Sequence, residues 1–345
     1  MTTAINSAPE AFAYRSSKVS VPVLGVGHTV GDKIGEGDTY LVENVLPPDL
    51  AEVGFENLMK EVAWNVMRHR GGEVPRLVAV QGEIDANVNY PIYRHPADES
   101  PPLRAFSATV SAIRAHVEHT LQHPVNHVLI QLYRTGADYI SEHSDKTIDV
   151  VRGSRIVNLS LGSRRTMTLR TKKDAAATTT GSEQGANGEG NSRDGGGDGG
   201  APVQRTTQRI PLPHNSLFVM GLATNSRWMH SVHTDKRPEN TKDPAERGPR
   251  ISLTFRHIGT FLTPSPSPAG QEQEQEQQEQ QLIFGQGATG KTRAEARPVV
   301  RGGEEAERLL AAFGAENHES EFDWEKVYGE GFDVLHFAAT TPASV

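Results

Sequence analysis

The spacing of apolar and polar residues divides the chain into a helical part followed by a β-rich part. After Asp38 the segment TYLVENV reads as a strand, and Pro47-Pro48-Asp49 then opens a helix. Leu58, Met59, Val62, Ala63, Val66 and Met67 recur along that helix at helical spacing, a stripe suited to facing a core. Phe106, Val110, Ile113, Val117 and Leu121 mark a second helix, which stops at Pro124. Residues 75–102 between the two are rich in Gly, Pro, Asn and Tyr, and read as a loop or hairpin long enough to act as a lid. Beyond Pro124 come short β-type runs at 127–133, 155–161, 166–170, 216–220 and 250–258, several of them alternating as half-buried antiparallel strands do. The expected fold is α+β and mainly β: a jelly roll, or double-stranded β-helix, with the N-terminal helices packed on its flank.

Composition sets the boundaries. Residues 1–36 are Gly-punctuated and aperiodic and read as a flexible arm. The domain expected at 37–262 is interrupted at 174–208 by a low-complexity insertion too polar to repay its ordering entropy. A Gln/Glu-rich linker at 263–281 leads to a C-terminal extension, 282–345, whose aromatic residues suit docking on the domain.

Among 345 residues there is no Cys, which excludes a disulfide scaffold, a thiolate metal site and a cysteine nucleophile. No apolar run reaches the roughly 18 residues that span a bilayer, and the N-terminus lacks a secretion-signal layout, so an intracellular monomer in the nucleus or cytoplasm, with no membrane partner, is expected. The formal charge of −8 argues against a surface coated throughout by nucleic acid. It leaves room for a local basic face, because 151–173 carries Arg152, Arg155, Arg164, Arg165, Arg170, Lys172 and Lys173 with Asp absent from it.

The chemistry-bearing residues are His143-Ser144-Asp145 after one strand and His230 after another. Two histidines and one carboxylate leave open positions on Fe(II), and the H-x-D spacing puts both side chains on one side of an extended segment. Arg250 and Arg256, six residues apart on one strand face, offer two guanidinium groups to a dicarboxylate. Across 72–258 the chain resembles the AlkB family of Fe(II)/2-oxoglutarate dioxygenases in five ordered blocks: PRLVAVQGE, HVLIQLYRTGADYISEHSD, GSRIVNLSLGSRRTMTLR, LPHNSLFVMG, and TNSRWMHSV with RISLTFR.

That resemblance implies an enzyme using Fe(II), 2-oxoglutarate and dioxygen, with His143, Asp145 and His230 on iron and Tyr133, Arg250 and Arg256 on 2-oxoglutarate. It also brings Gln131 and Ser252 to positions where the family commonly has Asn. The implied reaction is oxidative dealkylation of N-methylated bases in DNA or RNA, a repair activity, with release of formaldehyde. Tyr90, Tyr93 and Arg94 fall where the family covers its substrate. Lys146-Thr147 departs from the acidic residues that repair members carry after the iron Asp. This departure, with the net acidity, keeps open a small-molecule or protein substrate on the same scaffold.

Two further signals are set aside. Gly285–Thr292 fits the phosphate-loop pattern G-x-x-x-x-G-K-[ST], but Pro298 interrupts the helix that such a loop requires. His116, His119, His123 and His127 recur at helical spacing, and Pro124 breaks the helix they would need to share a metal.

Overall fold

A computed structural model describes residues 33–69, 72–96, 101–174, 205–264 and 281–336. The first elements are β1 (Tyr40–Glu43), α1 (Pro48–Glu61), β2 (Asn65–His69), β3 (Gly72–Gly82), β4 (Tyr90–Pro91), β5 (Leu103–Ala105) and α2 (Ala108–Leu121). Then come β6 (His127–Tyr133), β7 (Ile140–His143), β8 (Ile156–Gly162), β9 (Arg165–Thr171), β10 (Thr207–Leu212), β11 (Ser216–Met220), α3 (Leu222–Arg227), β12 (Trp228–Val232) and β13 (Arg250–Arg256). The chain continues through β14 (Thr260–Pro264), β15 (Gln281–Gly285), β16 (Arg297–Pro298), β17 (Val300–Arg301), α4 (Gly303–His318), α5 (Trp324–Tyr328) and β18 (Val334–His336).

The major sheet runs β1-β11-β8-β13-β6-β3-β2, with β5 added beside β3, and the minor sheet runs β10-β9-β12-β7. Together they form a double-stranded β-helix. A third sheet, β16-β15-β14-β4, carries the chain toward the C-terminal helices.

Strand periodicity explains the layering. On β13, Ile251, Leu253 and Phe255 join a core with Leu58, Ile113 and Val117 of α1 and α2, so this face lies under the helices. Arg250, Ser252, Thr254 and Arg256 alternate with them and line a cavity on the other face. Strand β6 repeats the pattern, with Val128, Ile130 and Leu132 toward the helices and Leu129, Gln131 and Tyr133 toward the cavity. Between the sheets, Met167, Leu169, Ile210, Leu212, Phe218 and Trp228 close a second core.

Several elements differ from the sequence expectation. The first helix ends at Glu61, with Val62 in an extended conformation, so Val66 and Met67 belong to β2. Pairing of Asn65 and Val66 with Val78 and Leu77 outweighs the helical spacing. The first part of the expected lid, 75–82, belongs to β3, where Leu77 to Gly82 pair with β6. Pro75, which has no N–H to donate, lies where the β2–β3 register shifts. At the insertion, the described residues Thr207 and Gln208 pair with Arg170 and Leu169 in β10, while 175–204 lie outside the described residues. The expected arm, 1–36, and linker, 263–281, also lie largely outside them, but Thr263 and Pro264 belong to β14 and Gln281 to β15.

The C-terminal segment packs on the loop after β7. Ile148 is buried with Leu309, Phe313, Tyr328 and Phe332. Arg94 fastens this junction. It is 2% exposed, pairs with buried Asp149 at 2.7 Å, and donates to the carbonyls of Phe332, Val334 and Gly287.

Candidate active site

His143 ends β7 and His230 sits opposite it on β12, as Cα partners in the antiparallel ladder. Their rings lie 4.3 Å apart. Asp145 follows two residues later in a loop, its Oδ1 3.8 Å from His143 Nε2 and 3.9 Å from His230 Nε2. The three donor atoms all lie within 4.8 Å of one another. No other such group of metal-capable side chains occurs among the described residues.

The H-x-D loop is held from three directions. Asn225 of α3 accepts from the Asp145 backbone N–H and donates to the Asp145 carbonyl, both at 2.9 Å. From α4, Asn317 accepts from the Ser144 N–H at 3.1 Å and Glu316 from the Thr147 N–H at 2.9 Å. Arg256 fixes the carboxylate itself, donating to Asp145 Oδ2 through Nη2 at 2.8 Å. The start of α3 is set by Gly221, where a Cβ would lie 2.0 Å from Asp38 Oδ2, the oxygen that accepts from the Ala223 N–H.

Electrostatics keep the triad ready for a cation. Burial pushes the Asp145 carboxyl up, but Arg256, His230 and His143 together hold it well below the ordinary carboxylate range. Burial and the neighbouring His143 push His230 down to about 3, so its imidazole is neutral at physiological pH. His143 Nδ1 lies 2.7 Å from the Ser141 carbonyl; donating there, it leaves the Nε2 lone pair facing Asp145.

The triad belongs to a cavity of ≈ 790 Å³. Arg250 lies in its wall, 1% exposed, with Nη2 donating to Asn158 Oδ1 and Ser160 Oγ, each at 2.8 Å. Its Nε and Nη1 are buried without a partner, as is Arg256 Nη1. Orphaned, buried guanidinium donors in a cavity wall call for an anion. Two neutral imidazoles, a carboxylate and these donors thus fit Fe(II) with a carboxylate-bearing cosubstrate.

The expected arginine pair divides into two roles. Six residues of extended chain separate their Cα atoms by about 20 Å along β13, and the two side chains meet different partners. Arg256 serves Asp145, and its guanidinium carbon lies 3.9 Å from the centre of the Tyr93 ring. Arg250 lies beside Tyr133, with its guanidinium carbon 5.2 Å from that ring's centre. Gln131 lines the cavity, and with its amide oxygen turned toward Arg76 it accepts from Arg76 Nε at 2.8 Å. Ser252 also lines it and accepts from Asn158 at 2.6 Å.

Of the expected substrate contacts, Tyr93 and Lys146 line the cavity. The Tyr93 hydroxyl accepts from the Lys146 N–H at 3.0 Å. Tyr90 and Arg94 are corrections. Tyr90 packs with Ile92, Leu262 and Ile283, and its hydroxyl accepts from Gln281, which makes it a third-sheet residue. Arg94 has its donors occupied by Asp149 and backbone carbonyls, leaving none to reach a phosphate.

The basic stretch at 151–173 does not form a continuous track. Arg165 is buried and donates to the carbonyls of Thr135, Asp138 and His233, while Lys172, 1% exposed, donates to those of Glu316 and Glu319. Arg152, Arg164 and Arg170 pair with Glu325, Glu246 and Glu142. In the phosphate-loop pattern, Lys291 Nζ is spent on the carbonyls of Gln286, Ala288 and Gly329.

Sequence reasoning missed Asn158, Asn225, Arg76 and Asn317. Asn158 had a signal, being a polar residue on the cavity-facing register of β8 together with Ser160. Asn317 had none, since its partner Ser144 is 173 residues away.

The family model described as "2OG-Fe(II) oxygenase superfamily" matches residues 38–256. The human "DNA oxidative demethylase ALKBH2" is 31% identical over 186 residues, covering 54% of this chain and 57% of that protein. The bovine "Alpha-ketoglutarate-dependent dioxygenase alkB homolog 3" is 27% identical over 212 residues, 60% of this chain and 62% of that one. An Arabidopsis thaliana "DNA oxidative demethylase ALKBH2" is 31% identical over 240 residues, 65% and 68% of the two chains. The chain therefore spans about three fifths of the length of the first two relatives. The matched stretch begins just before β1 and ends with Arg256, and so contains the triad, Tyr133 and Arg250; the chain belongs to the 2OG-Fe(II) oxygenase superfamily.

Proposed function

We propose that the protein is an Fe(II)/2-oxoglutarate-dependent dioxygenase that removes N-alkyl groups, methyl above all, from nucleic-acid bases. One observation carries this reading: the His143, Asp145 and His230 donors and the unpartnered nitrogens of Arg250 belong to the same cavity. His143, Asp145 and His230 would hold the metal, and Arg250 with Tyr133 would bind the far carboxylate of 2-oxoglutarate. Iron, when bound with 2-oxoglutarate and dioxygen, supplies the oxidation of a C–H bond, coupled to formation of succinate and carbon dioxide. An N-methyl group hydroxylated in this way breaks down to formaldehyde and the free amine.

The chain's own residues orient and enclose. Arg256 keeps Asp145 ionised and points its carboxylate toward the two imidazoles. Asn225, Asn317 and Glu316 hold the intervening backbone, so the ligands are set before metal arrives. Tyr93, Met167, Phe218 and Val232 supply apolar lining that excludes water from the reacting group. DNA as substrate follows the names of the ALKBH2 relatives; RNA as an alternative, and a monomer acting in the nucleus or cytoplasm, belong to the same proposal.

A small-molecule or protein substrate is the second reading, favoured by the neutralised basic stretch at 151–173. The two separate in one assay of formaldehyde release, comparing methylated single-stranded DNA, duplex DNA and RNA with N-methylated amines and methyl-lysine peptides. Release from the oligonucleotides alone supports base dealkylation. Release only from amines or peptides overturns it.

A further inference from the structure

The residue next to Asp145 is a lysine placed in the cavity wall. Lys146 is 5% exposed, and its Nζ donates to Asn317 Oδ1 at 3.2 Å. That same oxygen accepts from the Ser144 N–H, so α4 ties the ammonium to the metal-site loop. Glu316, the acid nearest to Lys146 besides Asp145, lies outside the cavity lining. Its carboxylate is engaged by Thr147 and by the Tyr328 hydroxyl, whereas Asn317, the hydrogen-bond partner of the Lys146 ammonium, lines the cavity. Arg76, Arg250 and Arg256 also line the cavity. Against these four cations the lining holds Asp145, committed to Arg256, and Glu73, a rim residue whose side chain is 63% exposed. A doubly charged metal and a doubly charged 2-oxoglutarate cancel each other, so loading the site leaves this positive balance in place.

Alkylated bases fall into two charge classes. Methylation at a ring nitrogen that carries no hydrogen, N1 of adenine or N3 of cytosine, makes the base a cation. Methylation at a ring N–H, N3 of thymine or N1 of guanine, leaves it neutral. We propose that Lys146, fixed by Asn317, is a specificity-determining residue that disfavours cationic alkylated bases and directs the site to neutral ones. This inference rests on the nucleic-acid reading above. At an effective dielectric of about 20, two like charges about 7 Å apart would repel by roughly fiftyfold in affinity; Glu316 and Asp145 oppose the Lys146 charge, so an effect on the order of tenfold is expected.

The test uses the full chain and oligonucleotides of one sequence carrying 3-methylcytosine, 1-methyladenine, 3-methylthymine or 1-methylguanine. Two readouts are taken: kcat/KM by formaldehyde release, and equilibrium binding with no iron added. The expected result is a preference of about tenfold or more for the neutral class in both readouts. Lys146→Gln should collapse the preference, Lys146→Arg should retain it, and Asn317→Ala, which frees the ammonium without removing it, should weaken it. A parent protein that prefers the cationic bases, or a ratio unmoved by Lys146→Gln in a folded variant, overturns the inference while base dealkylation stands. Absence of turnover on both classes, with formaldehyde released from an amine, overturns the dealkylation reading and this inference with it.

Discussion

Arg250→Lys tests the division of labour between the two arginines. In the parent, Nη2 is occupied by Asn158 and Ser160, and Nε and Nη1 remain as donors without protein partners. A carboxylate could accept from one of them, because Nε–H and Nη1–H point away from each other on the planar guanidinium. Lysine keeps the charge, but its single ammonium must serve Asn158, Ser160 and the carboxylate from a shorter reach. A charge-assisted hydrogen bond contributes about 1.5–3 kcal/mol, and at 1.4 kcal/mol per decade the loss of one predicts a rise in KM for 2-oxoglutarate of roughly 10- to 150-fold. Metal affinity should hold within about twofold, because Arg250 makes no contact with Asp145. The assay is succinate formation against 2-oxoglutarate concentration, with equilibrium Co(II) binding as control. Arg256→Lys should do the reverse, weakening metal binding first through loss of the 2.8 Å contact to Asp145 Oδ2. An unchanged KM in Arg250→Lys would place the carboxylate anchor elsewhere.

Three other outcomes follow from the same geometry. Arg94→Ala should destabilise the fold by about 3–5 kcal/mol in urea unfolding, since it leaves the buried Asp149 carboxylate unpaired, and a stability equal to the parent's would refute the structural role given to Arg94. Burial, with Arg256 beside His127 and His143 beside His230, pushes both imidazoles down to about 3, so they stay neutral in the folded chain. The unfolded chain binds more protons below about pH 6.5, so stability is fully present above that pH and falls as pH drops toward 3, by up to about 1.4 kcal/mol per pH unit for each residue; a flat profile of the metal-free protein between pH 7 and 5 would contradict it. Deleting 175–204 should leave folding and metal binding intact, because β9 and β10 pair on either side of that stretch and loop closure changes by only about 0.6 kcal/mol per doubling; loss of soluble expression would show that the stretch carries structure.

Legibility in the sequence followed burial. Strands β6, β8, β11 and β13 alternate between a helix-covered apolar face and a cavity face, and their bounds differ from the sequence reading by no more than two residues. His143 and His230 were expected after strands, but they lie within β7 and β12, whose bounds were not legible because ISEH and WMHSV put site residues where an apolar period would show. Val66 and Met67 followed the helical period yet belong to β2, since cross-strand pairing with β3 is a tertiary effect. The H-x-D and its distant His were visible as chemistry, and the strand register explains why they meet. Partners far along the chain were not visible. Lys172 and Arg165 read as surface charge because the carbonyls they bind belong to residues 27 to 147 positions away. Likewise, the aromatic content of 282–345 suggested docking, but the approach of Asn317 to Ser144 depends on the whole path from β14 to α4.

The central claim is that the His143, Asp145 and His230 cavity couples 2-oxoglutarate consumption to N-dealkylation. Its most direct test is product stoichiometry on a methylated oligonucleotide with Fe(II) and 2-oxoglutarate, counting succinate, formaldehyde and the unmodified base together. The account predicts equal amounts of all three from the parent, and none above background from Asp145→Ala, which removes the only anionic ligand. Succinate formed by Asp145→Ala at the parent rate, or formaldehyde that appears without succinate, would contradict it.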